Sequence, residues 1–332
     1  MDNYRKILGG LLGAAVGDAL GAATETRSTK QIISKFKKPV TDFITPPDDV
    51  FARNFPKGSV TDDFSLAYYT AMAIIKYRGI NNKTAIDALL SWSKTPYYSL
   101  AGPTTIKSVN KMLNINTETN ESFIKYDSSK GSDGGAMKIA PVGLASKGNI
   151  QKAISDAIII CLPTHFNSTA LAGACAVSAA VSAALKENAT VKDMVQAGLK
   201  GAYVGNEFAC KNDHELANPS VYKRILLACE IGKKYQGNMP KAMQELADII
   251  GSGLNASETV PSAFGLLVAA NGDPWKSIIA AVNIGNDTDT IATIVGAMAG
   301  TLNSYYDKEK LRIINNVNNF DLERIAGELN NV

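Results

Sequence analysis

Residues 4–23 of the chain, YRKILGGLLGAAVGDALGAA, would carry apolar side chains on almost every side of a helix, and they contain five glycines. Each glycine weakens a helix by about 1 kcal/mol relative to alanine. Their number therefore favours a buried helix whose backbone closely approaches another helix or a ligand. Apolar residues recur at helical spacing along the rest of the chain, and no convincing alternating strand appears. The sequence predicts an all-α fold.

We expect a single compact helical domain over residues 1–332, because no linker divides the chain and no repeat of fixed period occurs. One helix is predicted to start at Thr61, whose hydroxyl precedes apolar residues at helical spacing. Further helices are predicted over residues 83–93, 104–113, 149–161, 168–186, 190–203, 219–235, 239–250, 259–271, 273–283 and 289–304. Residues 26–57 contain four prolines and predict a loop-rich excursion, long enough to serve as a lid. Residues 114–135 are predicted to be loop.

The charge balance of the chain gives no reason to expect a nucleic-acid partner or a membrane surface. There are 34 basic and 31 acidic residues, the net charge is +3, and the basic residues are scattered. The four cysteines form no C-x-x-C pair and lie in Ala-rich or aliphatic surroundings, as reduced core cysteines do. We therefore expect a cytoplasmic protein, and the oligomeric state stays open.

Two apolar stretches resemble export or membrane signals. Residues 8–16 follow two basic residues, but they are rich in Gly and Ala and are closely followed by Asp18 and Glu25. Residues 170–185 are shorter than the roughly 20 residues that a membrane-spanning helix needs, and they are only weakly hydrophobic. We interpret the first as part of the domain and the second as a helix buried in its core.

Two acidic clusters stand out, Thr61-Asp62-Asp63 and Asn286-Asp287-Thr288-Asp289-Thr290. Either one alone is most simply a helix start, where Asp and Thr cap backbone N–H groups. If the two clusters converge, their carboxylates repel one another unless cations neutralise them. Hard oxygen ligands of this kind suit Mg²⁺, Mn²⁺ or Ca²⁺. Zinc is disfavoured, because neither of the two histidines has a Cys or His neighbour at ligand spacing.

Five motifs that span about residues 7 to 303 resemble, in order, those of the ADP-ribosylglycohydrolase family. They are Gly17-Asp18-Ala19-Leu20-Gly21 with Glu25, Gly58-Ser59-Val60-Thr61-Asp62-Asp63, Asp133-Gly134-Gly135-Ala136-Met137-Lys138-Ile139-Ala140-Pro141, His165 before an Ala-rich helix, and Gly285-Asn286-Asp287-Thr288-Asp289-Thr290-Ile291-Ala292. Each motif is weak to moderate alone, but five in the family's order are hard to attribute to chance.

The resemblance implies an all-helical fold with two Mg²⁺ or Mn²⁺ ions in a central cleft. It assigns the metal ligands to Thr61, Asp62, Asp63, Asp287, Asp289 and Thr290. It implies hydrolysis of a glycosidic bond at C1 of a ribose, through an oxocarbenium-like transition state that nearby carboxylates stabilise. Asp62 and Asp289 would take part in that catalysis, and Glu25, expected at the rim, would act as a base or orient the substrate.

The resemblance also assigns substrate contacts. In the family the Gly-rich loop lies along the phosphates of ADP-ribose. The corresponding residues are Asp133, Gly134, Gly135, Met137 and Lys138, with His165 as a further substrate contact. Without the resemblance, the simpler interpretation of His165 is a structural residue. Asp18 is expected to hold in place either backbone or a residue that lies beside the metals.

Two departures from the family pattern bear on the substrate. Asp133 and Lys138 replace an Asn and an Arg of the family's loop, and an Asp beside a pyrophosphate would repel it. Asp133 could instead cap the segment that follows it. Residues 97–105 lack the acidic residue that holds the guanidinium in members acting on ADP-ribosylated arginine. Tyr97 and Tyr98 either stack on a planar ring of the substrate or belong to the core.

Three functions remain open. The leading one is Mg²⁺- or Mn²⁺-dependent hydrolysis of ADP-ribosyl conjugates or related ribosides. The second is a nucleosidase that acts on an unphosphorylated or monophosphorylated nucleoside, which the two departures motivate. The third is a non-catalytic binding or structural member of the fold, but such a member would be expected to lack metal ligands, and every ligand motif is intact.

Overall fold

The computed structural model describes residues 3–115 and 126–332, which form sixteen α-helices, three 3₁₀ segments and no strand. The all-α prediction is confirmed. The helices are α1 (Tyr4–Gly21), α2 (Thr29–Phe36), α3 (Asp62–Tyr77), α4 (Asn82–Trp92), α5 (Pro103–Met112), α6 (Ala140–Ala145), α7 (Ile150–Cys161), α8 (Ser168–Ala184), α9 (Val191–Lys211), α10 (Val221–Lys234), α11 (Met239–Ile249), α12 (Ala256–Ala269), α13 (Pro274–Ile284), α14 (Thr288–Asn303), α15 (Lys308–Asn318) and α16 (Leu322–Asn330).

The helices predicted from the apolar period are all present, with ends that differ by at most three residues, except that α9 continues to Lys211. Helices α2, α6, α15 and α16 lie where none was predicted. Two short 3₁₀ segments, Ser128–Lys130 and Asp133–Gly135, interrupt the loop predicted over residues 114–135. Residues 116–125 of that prediction lie outside the described residues.

Helices α1 and α14 run antiparallel with their backbones in direct contact, as the glycines of residues 4–23 suggested. A Cβ atom added at Gly13 would lie 2.3 Å from the carbonyl oxygen of Gly296, and one at Gly17 would lie 2.3 Å from that of Ala292. Ordinary contact begins at 3.4 Å, so only glycine permits this approach. The small residues recur every fourth position, on one face of each helix.

The second central helix is α8, in which every residue is buried. It packs on α9, where a Cβ atom added at Gly201 would lie 2.2 Å from the carbonyl oxygen of Cys175. This confirms that residues 170–185 form a buried core helix. Among the described residues, no helix has the length and hydropathy needed to cross a bilayer. All four cysteines are free, and Cys161 and Cys175 are buried.

The excursion over residues 26–57 is held against the loop between α13 and α14. The Thr26 N–H donates to the Asn286 carbonyl over 2.8 Å, and the Asn286 N–H donates to the Arg27 carbonyl over 2.7 Å. Further along, the side chain of Asn283 bonds both the N–H and the carbonyl of Val40, each over 2.8 Å. These contacts fix the residues on either side of α2 against the last turn of α13 and the loop before α14. The role of the excursion as a lid stays a prediction.

Candidate metal and substrate site

Three helix ends meet at one place. Helix α1 ends at Gly21, where an added Cβ atom would lie 2.4 Å from the Cα atom of Asp289 in the first turn of α14. Helix α3 begins at Asp62 and contacts both of the others. Because α3 and α14 both present their N-terminal ends here, their dipoles favour negative charge at this point. The two acidic clusters of the sequence are therefore brought together.

Asp18 holds the start of α3. Its carboxylate accepts a hydrogen bond from the Thr61 N–H over 3.0 Å and from the Phe64 N–H over 2.8 Å. The Thr61 hydroxyl in turn caps the helix by accepting from the Asp63 N–H over 3.3 Å. This confirms the prediction that Asp18 ties backbone in place, and it confirms Thr61 as an N-cap. Asp18 thus positions Asp62 and Asp63 relative to α14.

The start of α14 is shaped by backbone rather than by a side-chain cap. Gly285 and Asn286 both have positive φ, 100° and 62°, and the Asp287 N–H donates to the Ser252 carbonyl over 2.9 Å. Asp287 occupies the N-cap position, but its side chain accepts no capping hydrogen bond. The capping interpretation therefore holds for the first acidic cluster and fails for Asp287, whose carboxylate is turned toward other acids.

Asp133 joins this group of acids. Its carboxylate is hydrogen bonded to the Thr259 hydroxyl and to the carboxyl of Asp287. Its backbone N–H donates to the Leu254 carbonyl over 3.1 Å, which ties the Gly-rich loop to the start of α12. Asp133 is itself the first residue of the 3₁₀ segment Asp133–Gly135, and the N-cap position belongs to Ser132. The interpretation of Asp133 as a helix cap is wrong, since its side chain faces Thr259 and Asp287.

The pKa values of these acids are raised because burial disfavours their charged forms and because each lies near the others. Burial and the neighbouring Asp289 raise the pKa of Asp18 to about 8 and that of Glu25 to about 10. Burial raises the pKa of Asp289 to about 6. Glu25 lies inside the protein rather than at the rim, with only 7% of its surface exposed.

The other acids at this site show the same upward shift in pKa. Burial and nearby carboxylates raise the pKa values of Asp62, Asp63 and Asp287 well above their ordinary range. Asp62 is the one member of the group that is partly exposed. The acidic group consists of Asp18, Glu25, Asp62, Asp63, Asp133, Asp287 and Asp289.

In the parts of the chain that the structure describes, little positive charge lies near the acidic group. Arg27 lowers the pKa of Glu25, but its guanidinium is paired with Asp49 and bonds the Ala23 carbonyl over 3.1 Å. Buried carboxylates without counter-charge keep their protons or gain cations. The group is therefore a place where added cations would be strongly stabilised.

Three buried carboxylate oxygens, Asp63 Oδ2, Asp287 Oδ2 and Asp289 Oδ1, have no hydrogen-bond partner. Buried polar atoms are normally paired, so these oxygens fit a site that takes hard cations. Within the described ranges, no group of three or more Asp, Glu, His or Cys side chains has the arrangement of a ready-made metal site. Asp287 instead bonds to Asp133 and Asp289, which is how neighbouring carboxyls relieve repulsion without a cation.

The other predicted substrate residues follow Asp133 in the Gly-rich loop or pack against that loop. Gly134 and Gly135 pack against His165 and Cys161: a Cβ atom added at Gly134 would lie 2.6 Å from His165 Nε2. Met137 belongs to a small core with Leu66 and Trp92, a packing that gives its role as a substrate contact no support.

Lys138 is buried, and its ammonium donates to the Thr164 hydroxyl over 2.9 Å. Because its ammonium is buried and bonded to Thr164, its contact with a phosphate stays a prediction. A cavity of about 280 Å³ opens beside Thr164. It is lined by the stacked rings of Phe166 and His214, whose centroids lie 3.9 Å apart, and by Asn167.

Tyr97 and Tyr98 are half-buried and pack against the core. Tyr97 stacks on Phe55 with ring centroids 5.8 Å apart and donates its hydroxyl to Asn318 over 2.9 Å. Tyr98 packs edge-on against Trp92.

Comparison with known proteins decides the family. The model of the family described as ADP-ribosylglycohydrolase matches residues 1–319. The chain belongs to the ADP-ribosylglycohydrolase family. It is thus a glycosidic-bond hydrolase, as the resemblance of its motifs implied.

Individual relatives of this ADP-ribosylglycohydrolase are distant but cover nearly its full length. The chain is 25% identical to the uncharacterised protein YegU of Escherichia coli, across 98% of the chain and 96% of that protein. It is 26% identical to the ADP-ribosylhydrolase ARH3 of Homo sapiens, across 91% of the chain and 86% of that protein. A solved structure titled ADP-ribosylglycohydrolase-related protein complex shares the fold, with a TM-score of 0.67, 23% identity, and coverage of 99% and 98%.

Two residues of the site were not foreseen. Thr259 holds Asp133, and Thr164 joins Lys138 to His165. Thr164 is adjacent to the predicted histidine, which could have drawn attention to it. Thr259 lies 126 residues from Asp133, so nothing local in the sequence connects the two.

Proposed function

We propose that the protein uses divalent cations, Mg²⁺ or Mn²⁺, to hydrolyse ADP-ribosyl conjugates or closely related ribosides at C1 of the ribose. The observation that carries this proposal is the buried acidic group, which has three unpartnered oxygens and one partly exposed member, Asp62. The family adds the class of reaction. The printed names of the ARH3 relatives add ADP-ribosyl compounds as the first substrates to test.

The ligands of two cations would be Thr61, Asp62, Asp63, Asp287, Asp289 and Thr290. Once bound, such ions would bind and polarise a ribose diol. The fit rests on the chemistry of the donors, which are all hard oxygens, and on the unpaired carboxylate atoms. The Thr61 hydroxyl already caps α3, and the Asp18 carboxylate already accepts from the Thr61 N–H. Thr61 is therefore already held in place as a ligand.

The chain's own carboxylates would stabilise the positive charge that develops at C1 as the bond breaks. Asp62 and Asp289 are the acids assigned to this role, and Asp62 is the one that solvent reaches. Glu25, with a pKa of about 10 in the metal-free protein, keeps its proton and can donate a hydrogen bond. It becomes a base only when positive charge nearby favours its ionised form.

The position of Asp133 removes one reason to prefer a nucleosidase. Its carboxylate is bonded to Thr259 and Asp287, which weakens the argument from the sequence that it would repel a pyrophosphate. The absence of an acidic residue in residues 97–105 still disfavours arginine-linked ADP-ribose as the substrate. We also propose a cytoplasmic location on the basis of the four free cysteines.

Product analysis by chromatography tests the proposal. The purified protein is incubated with Mg²⁺, with and without a chelator, on ADP-ribosyl-serine, ADP-ribosyl-arginine, O-acetyl-ADP-ribose and a set of nucleosides. We expect free ADP-ribose that disappears when the chelator is present, with the arginine conjugate the poorest substrate. Release of free base from nucleosides alone would replace the proposal with the nucleosidase, and product formation unaffected by the chelator would refute the role of the cations.

A further inference from the structure

Three buried polar side chains form a chain of hydrogen bonds beside the Gly-rich loop. Lys138 Nζ lies 2.9 Å from Thr164 Oγ1, and Thr164 Oγ1 lies 2.7 Å from His165 Nδ1. Lys138 and His165 are each no more than 2% exposed. The other ring nitrogen, His165 Nε2, lies beside Gly134, where an added Cβ atom would be only 2.6 Å from it.

The direction of these hydrogen bonds follows from the donors each group carries. A lysine ammonium can only donate, so Thr164 Oγ1 accepts from Lys138. The Thr164 hydroxyl proton then remains to be donated, and among the described residues His165 Nδ1 is the acceptor within reach. A ring nitrogen that accepts must be unprotonated, which leaves the ring proton on Nε2.

We infer that Lys138 and Thr164 are positioning residues that hold His165 as a neutral imidazole with its proton on Nε2, presented beside Gly134 as a hydrogen-bond donor to a substrate oxygen. Burial lowers the pKa of His165 well below its usual value, which agrees with a neutral ring. The substrate contact rests on the proposed function, whereas the state of the ring does not.

This arrangement gives Lys138 a task other than direct phosphate binding. A buried ammonium is costly unless it is hydrogen bonded, and Thr164 is the partner that the structure gives it. An arginine at this position would also donate to Thr164 and leave its proton for His165. We therefore expect the replacement of the family's Arg by Lys138 to preserve the state of the histidine.

Nitrogen-15 NMR of the imidazoles tests the inference in the metal-free protein, without turnover. The chain has only two histidines, so a His214→Gln variant assigns the His165 signals. We expect one fixed tautomer with the proton on Nε2. Thr164→Val, which keeps the shape and removes the hydroxyl, should shift the Nδ1 signal as its hydrogen bond is lost. Thr164→Ser should restore the wild-type spectrum.

Lys138 is tested by a second pair. Lys138→Met frees the Thr164 oxygen to accept from His165 Nδ1, so signals of both tautomers should appear, whereas Lys138→Arg should keep the wild-type state. If the proposed function also holds, Thr164→Val should raise KM about tenfold with little change in kcat. A proton on Nδ1 in the wild type, or spectra unaffected by Thr164→Val and Lys138→Met, would overturn the inference.

Discussion

A single methyl group at Gly17 should separate the two helices that carry the site. In Gly17→Ala the new Cβ atom would lie 2.3 Å from the Ala292 carbonyl oxygen, and ordinary contact begins at 3.4 Å, so α1 and α14 must move apart by about 1 Å. Overpacking of this kind costs about 1–3 kcal/mol, and backbone contacts place it at the upper end. The higher helix propensity of alanine offsets about 1 kcal/mol of this cost.

The net loss in the free energy of unfolding is therefore about 2 kcal/mol, which lowers the thermal midpoint by about 3 °C for a chain of this length. Because the shift separates Asp18 from Asp289, turnover should also fall, by about 100-fold. Urea denaturation and initial rates measure the two effects.

The matched control is Gly327→Ala on α16, where the added Cβ atom meets only Tyr4 at 4.0 Å and should not destabilise the protein. A Gly17→Ala protein as stable and active as the control would refute the role of this contact.

Three further predictions concern the acidic group. Asp289→Ala should lower turnover by about 100-fold or more and weaken Mn²⁺ binding, and an unchanged rate at saturating Mg²⁺ would contradict the ligand assignment. Asp18→Ala leaves the Thr61 and Phe64 N–H groups without their acceptor and should lower the free energy of unfolding in urea by about 3 kcal/mol; no loss would mean that α3 starts without it. In the metal-free protein the pKa values of Asp289 and Asp18, about 6 and about 8, exceed the ordinary 3.8, so the folded state keeps protons that the unfolded chain releases. The stability of the metal-free protein should therefore fall as the pH rises from about 4 to about 8, and it should keep falling to about pH 10 as Glu25 ionises. The rise in thermal midpoint on adding Mg²⁺ should be larger at pH 8 than at about pH 5.

Most of the helices could be predicted because their apolar residues recur at the helical period. Helix α2 was missed because the prolines of residues 26–57 dominated that stretch, although the capping box of Ser28 and Gln31 was present in the sequence. Helix α6 has only six residues and contains a proline, too short for a period to show. Helix α15 has an Asp cap, Asp307, that could have indicated it.

The composition of the site could be predicted, but its assembly could not. The motifs identified Asp62 and Asp287, and their meeting depends on the contact between α1 and α14, which only the glycine spacing hints at. The direction of a side chain is harder still. Asp133 turned out to face other acids, and Lys138 to face Thr164, because buried polar groups take whichever partners the packing provides.

Titration of the metal-free protein with Mn²⁺, followed by the electron paramagnetic resonance signal of the free ion, tests most directly whether the acidic group holds divalent cations. The wild type should bind two ions per chain. Binding should be lost in the double variant Asp63→Asn/Asp287→Asn and retained in Asp248→Asn, which removes an exposed acid on α11. A wild type that binds no Mn²⁺, or a double variant that binds it as tightly as the wild type, would contradict the metal site proposed for the ends of α3 and α14.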